Sequence, residues 1–94
     1  MNGLSDSQRM IVSECDRIRE MLLAKNRRYG DSALCPVRIL STADPVEQIR
    51  VRIDDKLSRI KSAQDDEDED VLDDLIGYLV LLRVAQRRSG RTSG

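Results

Sequence analysis

Acidic side chains around the start of a predicted helix are the residues best suited to chemistry in this sequence. Asp70 and Asp74 stand four residues apart and Glu67 stands three before Asp70, so on a helix the three carboxylates share one side. Mg²⁺ prefers carboxylate oxygens, retained waters and substrate phosphate oxygens as ligands. The spacing therefore predicts a Mg²⁺ site at these residues, which Glu47 or Asp55 reaches from the preceding helix.

A structural interpretation of the same residues stays open. Acidic residues over 67–70 also stabilise the positive end of a helix dipole. Asp74 differs because, at about 100° per residue, it lies between Asp70 and Tyr78 with Leu81 above it. Its carboxylate is expected beside apolar surface, where burial is costly without a metal ion or a Lys or Arg partner.

Cations of the preceding helix are candidate partners for that carboxylate. Asp55 and Arg59 form an i, i+4 pair, and Lys56 lies next to them. Lys56 and Arg59 can form interhelical salt bridges to Asp70 or Asp74. They can equally bind phosphate oxygens, with Arg as a bidentate donor and Lys as a point charge.

A second basic cluster closes the first predicted helix. It consists of Lys25, Asn26, Arg28 and Tyr29, just before Gly30. The charges suit the negative end of a helix dipole, but that role needs neither the Tyr nor the Asn. Together the four side chains are candidates to bind the base, sugar and phosphates of a nucleotide.

The composition argues against several other functions. The 94-residue chain has no histidine, which excludes His triads, His metal sites and His proton shuttles. Lys plus Arg number 16 against 17 Asp plus Glu, so nucleic-acid binding driven by bulk charge is not expected. Cys15 and Cys35 match neither a zinc ligand set nor a CxxC motif, and we expect reduced thiols. The first residues lack a signal-peptide pattern and no apolar run approaches ~20 residues, so a cytoplasmic location without a membrane partner is expected.

Capping signals and hydrophobic periodicity predict a single all-α domain of three helices over residues 1–94. Its core is expected over about 5–88, with a flexible tail at 89–94. Ser5 followed by Gln8 fits a capping box that opens a helix from about residue 6 to 28. A long loop then leads to the second helix.

The second and third helices are predicted to carry the core. Asp44 and Pro45 fit the N-cap and N1 positions of the second helix. Lys56 is placed outside its buried stripe, which is expected to be Val46, Ile49, Ile53, Leu57 and Ile60. The third helix, over about 71–85, is apolar around most of its circumference. In so small a protein, a second apolar side predicts a homo-oligomer with four-helix-type packing.

Three segments resemble the nucleotide-modification-associated domain family of phages and bacteria, which is similar to the MazG-like all-α nucleoside triphosphate pyrophosphatases. They are LLAKNRRYGDS at 22–32, VRIDDKLSRI at 51–60 and DEDVLDDLIGYLVLL at 68–82. In order they supply KNxxYG, RxxDKxxR and DxxxDLxGY, and the resemblance covers roughly residues 10–85. It implies the MazG-like arrangement of helices.

The resemblance also implies an activity and assigns residues to it. In MazG-like enzymes, ExxE and ExxD motifs on neighbouring helices hold Mg²⁺ and activate a water that attacks a nucleotide phosphate. The implied reaction is pyrophosphohydrolysis, which releases a nucleoside monophosphate and pyrophosphate. Glu67 and Asp70 match the ExxD motif and, with Asp74, are the implied catalytic residues. No two glutamates three residues apart supply the ExxE motif. The candidate substrate-binding residues are Lys25, Asn26, Arg28, Tyr29, Lys56, Arg59 and Tyr78.

Three functions stay open at this point. The first is a Mg²⁺-dependent nucleotide pyrophosphohydrolase that works as a homo-oligomer. The second is a phage-encoded, catalytically silent binder of nucleotides or signalling nucleotides, which uses the same cations without a full set of metal ligands. The third is a helical protein-interaction module. Pyrophosphate release separates the enzyme from the silent binder. A ligand-induced rise in melting temperature separates the silent binder from the interaction module.

Overall fold

A computed structural model describes residues 3–36, 40, 42, 44–62 and 70–90 of the chain. It contains three helices, α1 (Asp6–Tyr29), α2 (Pro45–Lys61) and α3 (Val71–Arg88). No strand occurs among the described residues, so the all-α prediction is confirmed. None of these helices is long and apolar enough to cross a membrane. The MazG-like arrangement and the oligomeric bundle stay predictions.

Contacts along the chain divide it into two compact units, Met1–Gly30 and Asp31–Gly94. The first unit is built on α1. The second contains α2 and α3, which pack on each other. A single domain over the whole chain stays a prediction.

The first unit begins with the predicted capping box. The Ser5 hydroxyl accepts a hydrogen bond from the backbone N–H of Gln8 at 3.1 Å. The backbone N–H of Ser5 donates to Gln8 Oε1 at 2.9 Å. These two bonds satisfy donors that the first helical turn leaves without intrahelical acceptors. The helix ends where Gly30 takes a positive φ of 65°, a conformation that glycine adopts at little cost.

The apolar stripe predicted for α1 is only partly buried. Ile18 is buried and Leu22 is half-buried, whereas Ile11 and Cys15 are exposed. Cys15 and Cys35 are both free thiols, as expected. The first half of α1 therefore presents apolar side chains to solvent.

Aspartate N-caps start both helices of the second unit. Asp44 Oδ1 accepts from the backbone N–H of Glu47 at 2.8 Å, and Pro45 occupies the first helical position as predicted. Asp70 Oδ1 accepts from the backbone N–H of Asp73 at 3.0 Å. Because each cap satisfies an orphan backbone donor, these residues fix where α2 and α3 begin.

The core of the second unit lies between α2 and α3. Val46 and Ile49, early in α2, are buried together with Ala85, late in α3. Near the other end, Lys56 of α2 pairs with Asp74 of α3. The two helices therefore run antiparallel. Half-buried apolar side chains complete this core, namely Leu34, Ile53, Tyr78, Leu81 and Leu82.

The buried face of α2 differs from the predicted stripe in its second half. Leu57 and Ile60 are 48% and 49% exposed, whereas Lys56 is only 7% exposed. The face that α3 covers follows Ile49, Ile53 and Lys56, which are spaced by four and three residues. Leu57 lies about 100° further round the helix and falls at the edge of the contact. The prediction that placed Lys56 outside the buried stripe was wrong.

A turn and an ion pair join the start of this unit to the end of α3. The backbone N–H of Cys35 donates to the Asp31 carbonyl at 2.7 Å. The Asp31 side chain in turn lies 3.3 Å from Nη1 of Arg88. The same turn positions Leu34 against the core. The pair and this packing together hold residues 31–35 in place.

The outer side of α3 remains apolar and accessible. Leu72 is 61% exposed, Leu79 is 46% exposed and Val80 is 42% exposed. At about 100° per residue these three lie roughly 100–160° away from the face that carries Ala85 and Tyr78. Self-association through these residues stays a prediction.

Candidate functional site

Four charged side chains gather at the end of the α2–α3 interface that is distant from the apolar core. They are Asp55, Lys56 and Arg59 of α2 and Asp74 of α3, and are called the Lys56 cluster below. Asp55, Lys56 and Arg59 lie within little more than one turn of α2. The antiparallel packing brings Asp74, in the first turn of α3, to the same place.

Lys56 is the central residue of this cluster. Its Nζ lies 3.5 Å from Oδ2 of Asp74 and 3.9 Å from Oδ2 of Asp55. Its side chain is 9% exposed and that of Asp74 is 18% exposed. The ammonium is therefore attracted by carboxylates from both helices. Its pairing with Asp74 lies in a largely water-excluded setting, where such attraction is stronger than at the surface.

Arg59 extends the cluster toward solvent. Its Nε lies 3.6 Å from Oδ2 of Asp55, which is the i, i+4 pair that the sequence predicts. The Arg59 side chain is 32% exposed and that of Asp55 is 56% exposed. Two carboxylates and two cations sum to zero charge within these four residues, and one edge of the group is open to an incoming ligand.

Asp55 and Asp74 are the two oxygen donors of the cluster that could take part in holding a magnesium ion. Mg²⁺ in nucleotide sites is commonly held by one or two carboxylates, several waters and substrate phosphates. Asp55 and Asp74 converge from two helices on one position, and a cation, the ammonium of Lys56, already lies there. Within the part of the chain that the structure describes, no three His, Cys, Asp or Glu side chains group closely enough to hold a metal ion. A site here would therefore consist of two carboxylates, water and phosphate.

Two other predicted metal ligands, Asp70 and Glu47, lie at the N-terminal ends of α3 and α2. Asp70 is the N-cap of α3, where its carboxylate accepts a backbone hydrogen bond. Glu47 lies in the first turn of α2, and its Oε1 is 3.1 Å from Nη1 of Arg50 on an exposed surface. Glu67 lies outside the described residues. The roles predicted for these three residues stay predictions.

Tyr78, predicted as a substrate-binding residue, packs against the core of the second unit. It is half-buried beside Val46, Ile49 and Ala85. It lies one helical turn after Asp74 on the same face of α3.

The basic cluster at the end of α1 belongs to the first unit. The guanidinium carbon of Arg28 lies 5.3 Å from the centroid of the Tyr29 ring, which is cation–π geometry. Tyr29 is 61% exposed, and Lys25 and Asn26 are exposed as well. An accessible ring with cations beside it suits stacking against a base. That these residues join the Lys56 cluster in one nucleotide site stays a prediction.

Burial of Lys56 is the feature of this site that the predicted stripe missed. The signal was available in the spacing Ile49, Ile53 and Lys56, which continues a helical face with a charged residue. Comparison of the chain with family models, with curated proteins and with solved structures finds no match.

Proposed function

We propose that this chain is a Mg²⁺-dependent nucleoside triphosphate pyrophosphohydrolase of the MazG-like type. The observation that supports this most is the convergence of Asp55 and Asp74 on one cation position, with Arg59 at the open edge. These residues belong to the RxxDKxxR and DxxxDLxGY motifs, on which the resemblance to nucleotide-processing families rests. Geometry and motif thus support the same site.

In this proposal the chain's own residues orient the triphosphate and the attacking water. Asp55 and Asp74 would hold the metal ion, which would stabilise charge on the phosphoryl group and lower the pKa of bound water. Arg59 donates to phosphate oxygens from the open edge. Lys25, Asn26, Arg28 and Tyr29, at the end of α1, stay candidate residues for binding the base, sugar and phosphates of a nucleotide. Glu67 and Asp70 are the further catalytic residues that the resemblance implies.

The reaction adds water across one phosphoanhydride bond. The water oxygen bonds to the α-phosphorus, and the bond from that phosphorus to the α,β-bridging oxygen breaks. A nucleoside monophosphate leaves with the new oxygen, and pyrophosphate leaves with the bridging one. Glu67 or Asp70, which the resemblance implies as catalytic residues, would accept the proton that the water loses.

The test is direct measurement of pyrophosphate. The purified chain is incubated with common and modified nucleoside triphosphates, with Mg²⁺ or with a chelator, and pyrophosphate and orthophosphate are measured separately. We expect Mg²⁺-dependent release of pyrophosphate and nucleoside monophosphate in equal amounts. Release of orthophosphate, or no release from any nucleotide, contradicts the proposal.

A second candidate function is nucleotide binding without hydrolysis. It is favoured by the lack of the ExxE motif, and by the pairing of Glu47, a potential substitute, with Arg50. In that case nucleotides raise the melting temperature of the protein while no pyrophosphate appears. The two measurements together separate an enzyme from a silent binder.

A further inference from the structure

The side of α3 that is centred on Ile76 carries apolar side chains along most of the helix. We call it the outer face of α3 and define it by the apolar residues within about 80° of Ile76, which are Leu72, Ile76, Leu79, Val80 and Val84. All of these except the half-buried Ile76 are 37–61% exposed. Apolar residues on successive turns are best covered by a partner that follows the helix axis, such as a second helix.

Charged residues at the two ends of α3 have opposite signs. Asp73 and Asp74 lie in its first turn, and Arg87 and Arg88 lie in its last turn. Asp73 and Arg87 border the outer face on the same flank, about 60° and 20° from Ile76. Two parallel copies of α3 would place acidic turn beside acidic turn and basic turn beside basic turn. Two antiparallel copies place opposite charges together at both ends, and their helix dipoles are then also opposed favourably.

The length of α3 sets the register of an antiparallel pair. The helix spans Val71–Arg88, so its midpoint lies between Leu79 and Val80. Full overlap of two copies places Val80 beside Val80 of the partner subunit. It also places Asp73 beside Arg87 of the partner subunit, with an axial offset of about 1.5 Å. Because such a pair has a twofold axis, each contact between different residues forms twice.

Arg83 is a cation within the outer face itself, about 20° from Ile76. Parallel copies of α3 would bring the two Arg83 side chains together. The antiparallel register instead places Arg83 opposite Ile76 of the partner subunit. There the aliphatic part of the side chain covers apolar surface while the guanidinium reaches solvent. This residue therefore favours the same orientation as the charges at the helix ends.

We infer that the outer face of α3 binds the same face of a second copy of this chain, with the two helices antiparallel and Asp73 paired with Arg87 of the partner subunit. The occupant is another α3 because the two ends of the face are complementary in charge to each other and the residues between them are apolar. The inference adds an orientation and a register to the predicted self-association. It does not depend on the proposed nucleotide chemistry.

The first experiment reverses the charges at the two ends of α3 and measures assembly by sedimentation velocity at tens of micromolar. Asp73→Arg and Arg87→Glu each place like charges together twice, so each should weaken the dimer at least about tenfold. The double variant, which carries both substitutions, restores opposite charges and should assemble as wild type does. Asp54→Arg and Arg52→Glu, at exposed positions of α2, are the matched controls and should assemble normally.

These outcomes decide between the two orientations once circular dichroism has shown that each variant is folded. In a parallel pair neither single substitution adds a new repulsion, so single variants that assemble as wild type does overturn the inference. A double variant that stays as weak as the single variants overturns it too. Sedimentation of wild type as a monomer, including a protein that uses this face only for a different partner, also overturns it.

A second experiment tests the register without changing any charge on α3. In a background of Cys15→Ser and Cys35→Ser, the Val80→Cys variant should form a disulfide-linked dimer under mild oxidation, because Val80 lies beside the twofold axis. The Leu72→Cys variant should not, since its two thiols would lie about 22 Å apart along the helix axes, beyond the ~7 Å between Cα atoms that a disulfide spans. Cross-linking of Leu72→Cys, or none of Val80→Cys, overturns the inference even if the charge variants fail to fold.

Discussion

The ammonium of Lys56 and the carboxylate of Asp74 meet across the α2–α3 interface at 3.5 Å, and both side chains are mostly buried. This contact differs from pairs such as Arg17 with Glu14, whose side chains are 49% and 59% exposed on α1. Exposed pairs contribute little to stability because solvent screens them. A buried pair has a larger effect when one partner is lost, because the other charge is left in a water-poor setting.

The first prediction concerns the stability of this pair in the absence of ligand. Lys56→Met and Asp74→Asn should each lower the free energy of unfolding by about 3 kcal/mol, because each removes one member of a mostly buried ion pair. The double variant, which carries both substitutions, should lose clearly less stability than the sum of the two single losses. Urea unfolding of wild type, the two single variants and the double variant gives the coupling free energy between the two residues. Additive losses would contradict an energetic link between the residues.

Arg59 separates phosphate binding from structural pairing. Its pair with Asp55 is an i, i+4 contact that is partly open to solvent, worth roughly 0.3–0.5 kcal/mol to stability. Arg59→Ala should therefore unfold almost as wild type does, yet bind nucleotide about 1–3 kcal/mol more weakly. Isothermal titration with a nucleotide that wild type binds provides the measurement. A large loss of unliganded stability with unchanged affinity would assign Arg59 to the structure alone.

The interior of the second unit provides a test of the fold itself. Ile49 is 2% exposed between α2 and α3, whereas Val51 on the same helix is 65% exposed. Ile49→Ala should cost about 2–5 kcal/mol because it removes buried methyl groups and leaves a cavity. Val51→Ala should stay within about 0.5 kcal/mol of wild type. Equal effects in thermal unfolding would place α3 on the wrong face of α2.

Self-association is predicted through the exposed apolar face of α3. A charge within that face should disrupt the oligomer, so Leu79→Glu should sediment as a monomer while wild type sediments as at least a dimer. Val51→Glu, at an exposed apolar position of α2, should leave the assembly unchanged. Sedimentation of wild type as a monomer at tens of micromolar would remove the prediction. Association with a different protein through this face would instead favour an interaction module.

Local signals in the sequence predicted most of the fold. The Ser5 capping box and the Asp44–Pro45 start of α2 depend on neighbouring residues only, and both are confirmed. The pairing of Asp55 with Arg59 is likewise a property of one helix. Tertiary contacts were harder to predict, since whether Lys56 or Leu57 is buried depends on where α3 lies. The capping role of Asp70 is decided by the exact start of α3, and its predicted place in one site with Asp74 stays a prediction.

The central claim is most directly tested by pyrophosphate release from Asp74→Asn beside Asp54→Asn. Asp54 is an exposed carboxylate of α2 next to the Lys56 cluster, and the proposed mechanism does not use it. We expect Asp54→Asn to release pyrophosphate in the presence of Mg²⁺ at the wild-type rate. The Asp74→Asn protein, once circular dichroism has shown that it is folded, should release pyrophosphate at least about 100-fold more slowly than wild type. This is the scale of removing one group that stabilises transition-state charge. An Asp74→Asn protein that hydrolyses nucleotides at the wild-type rate would contradict the claim.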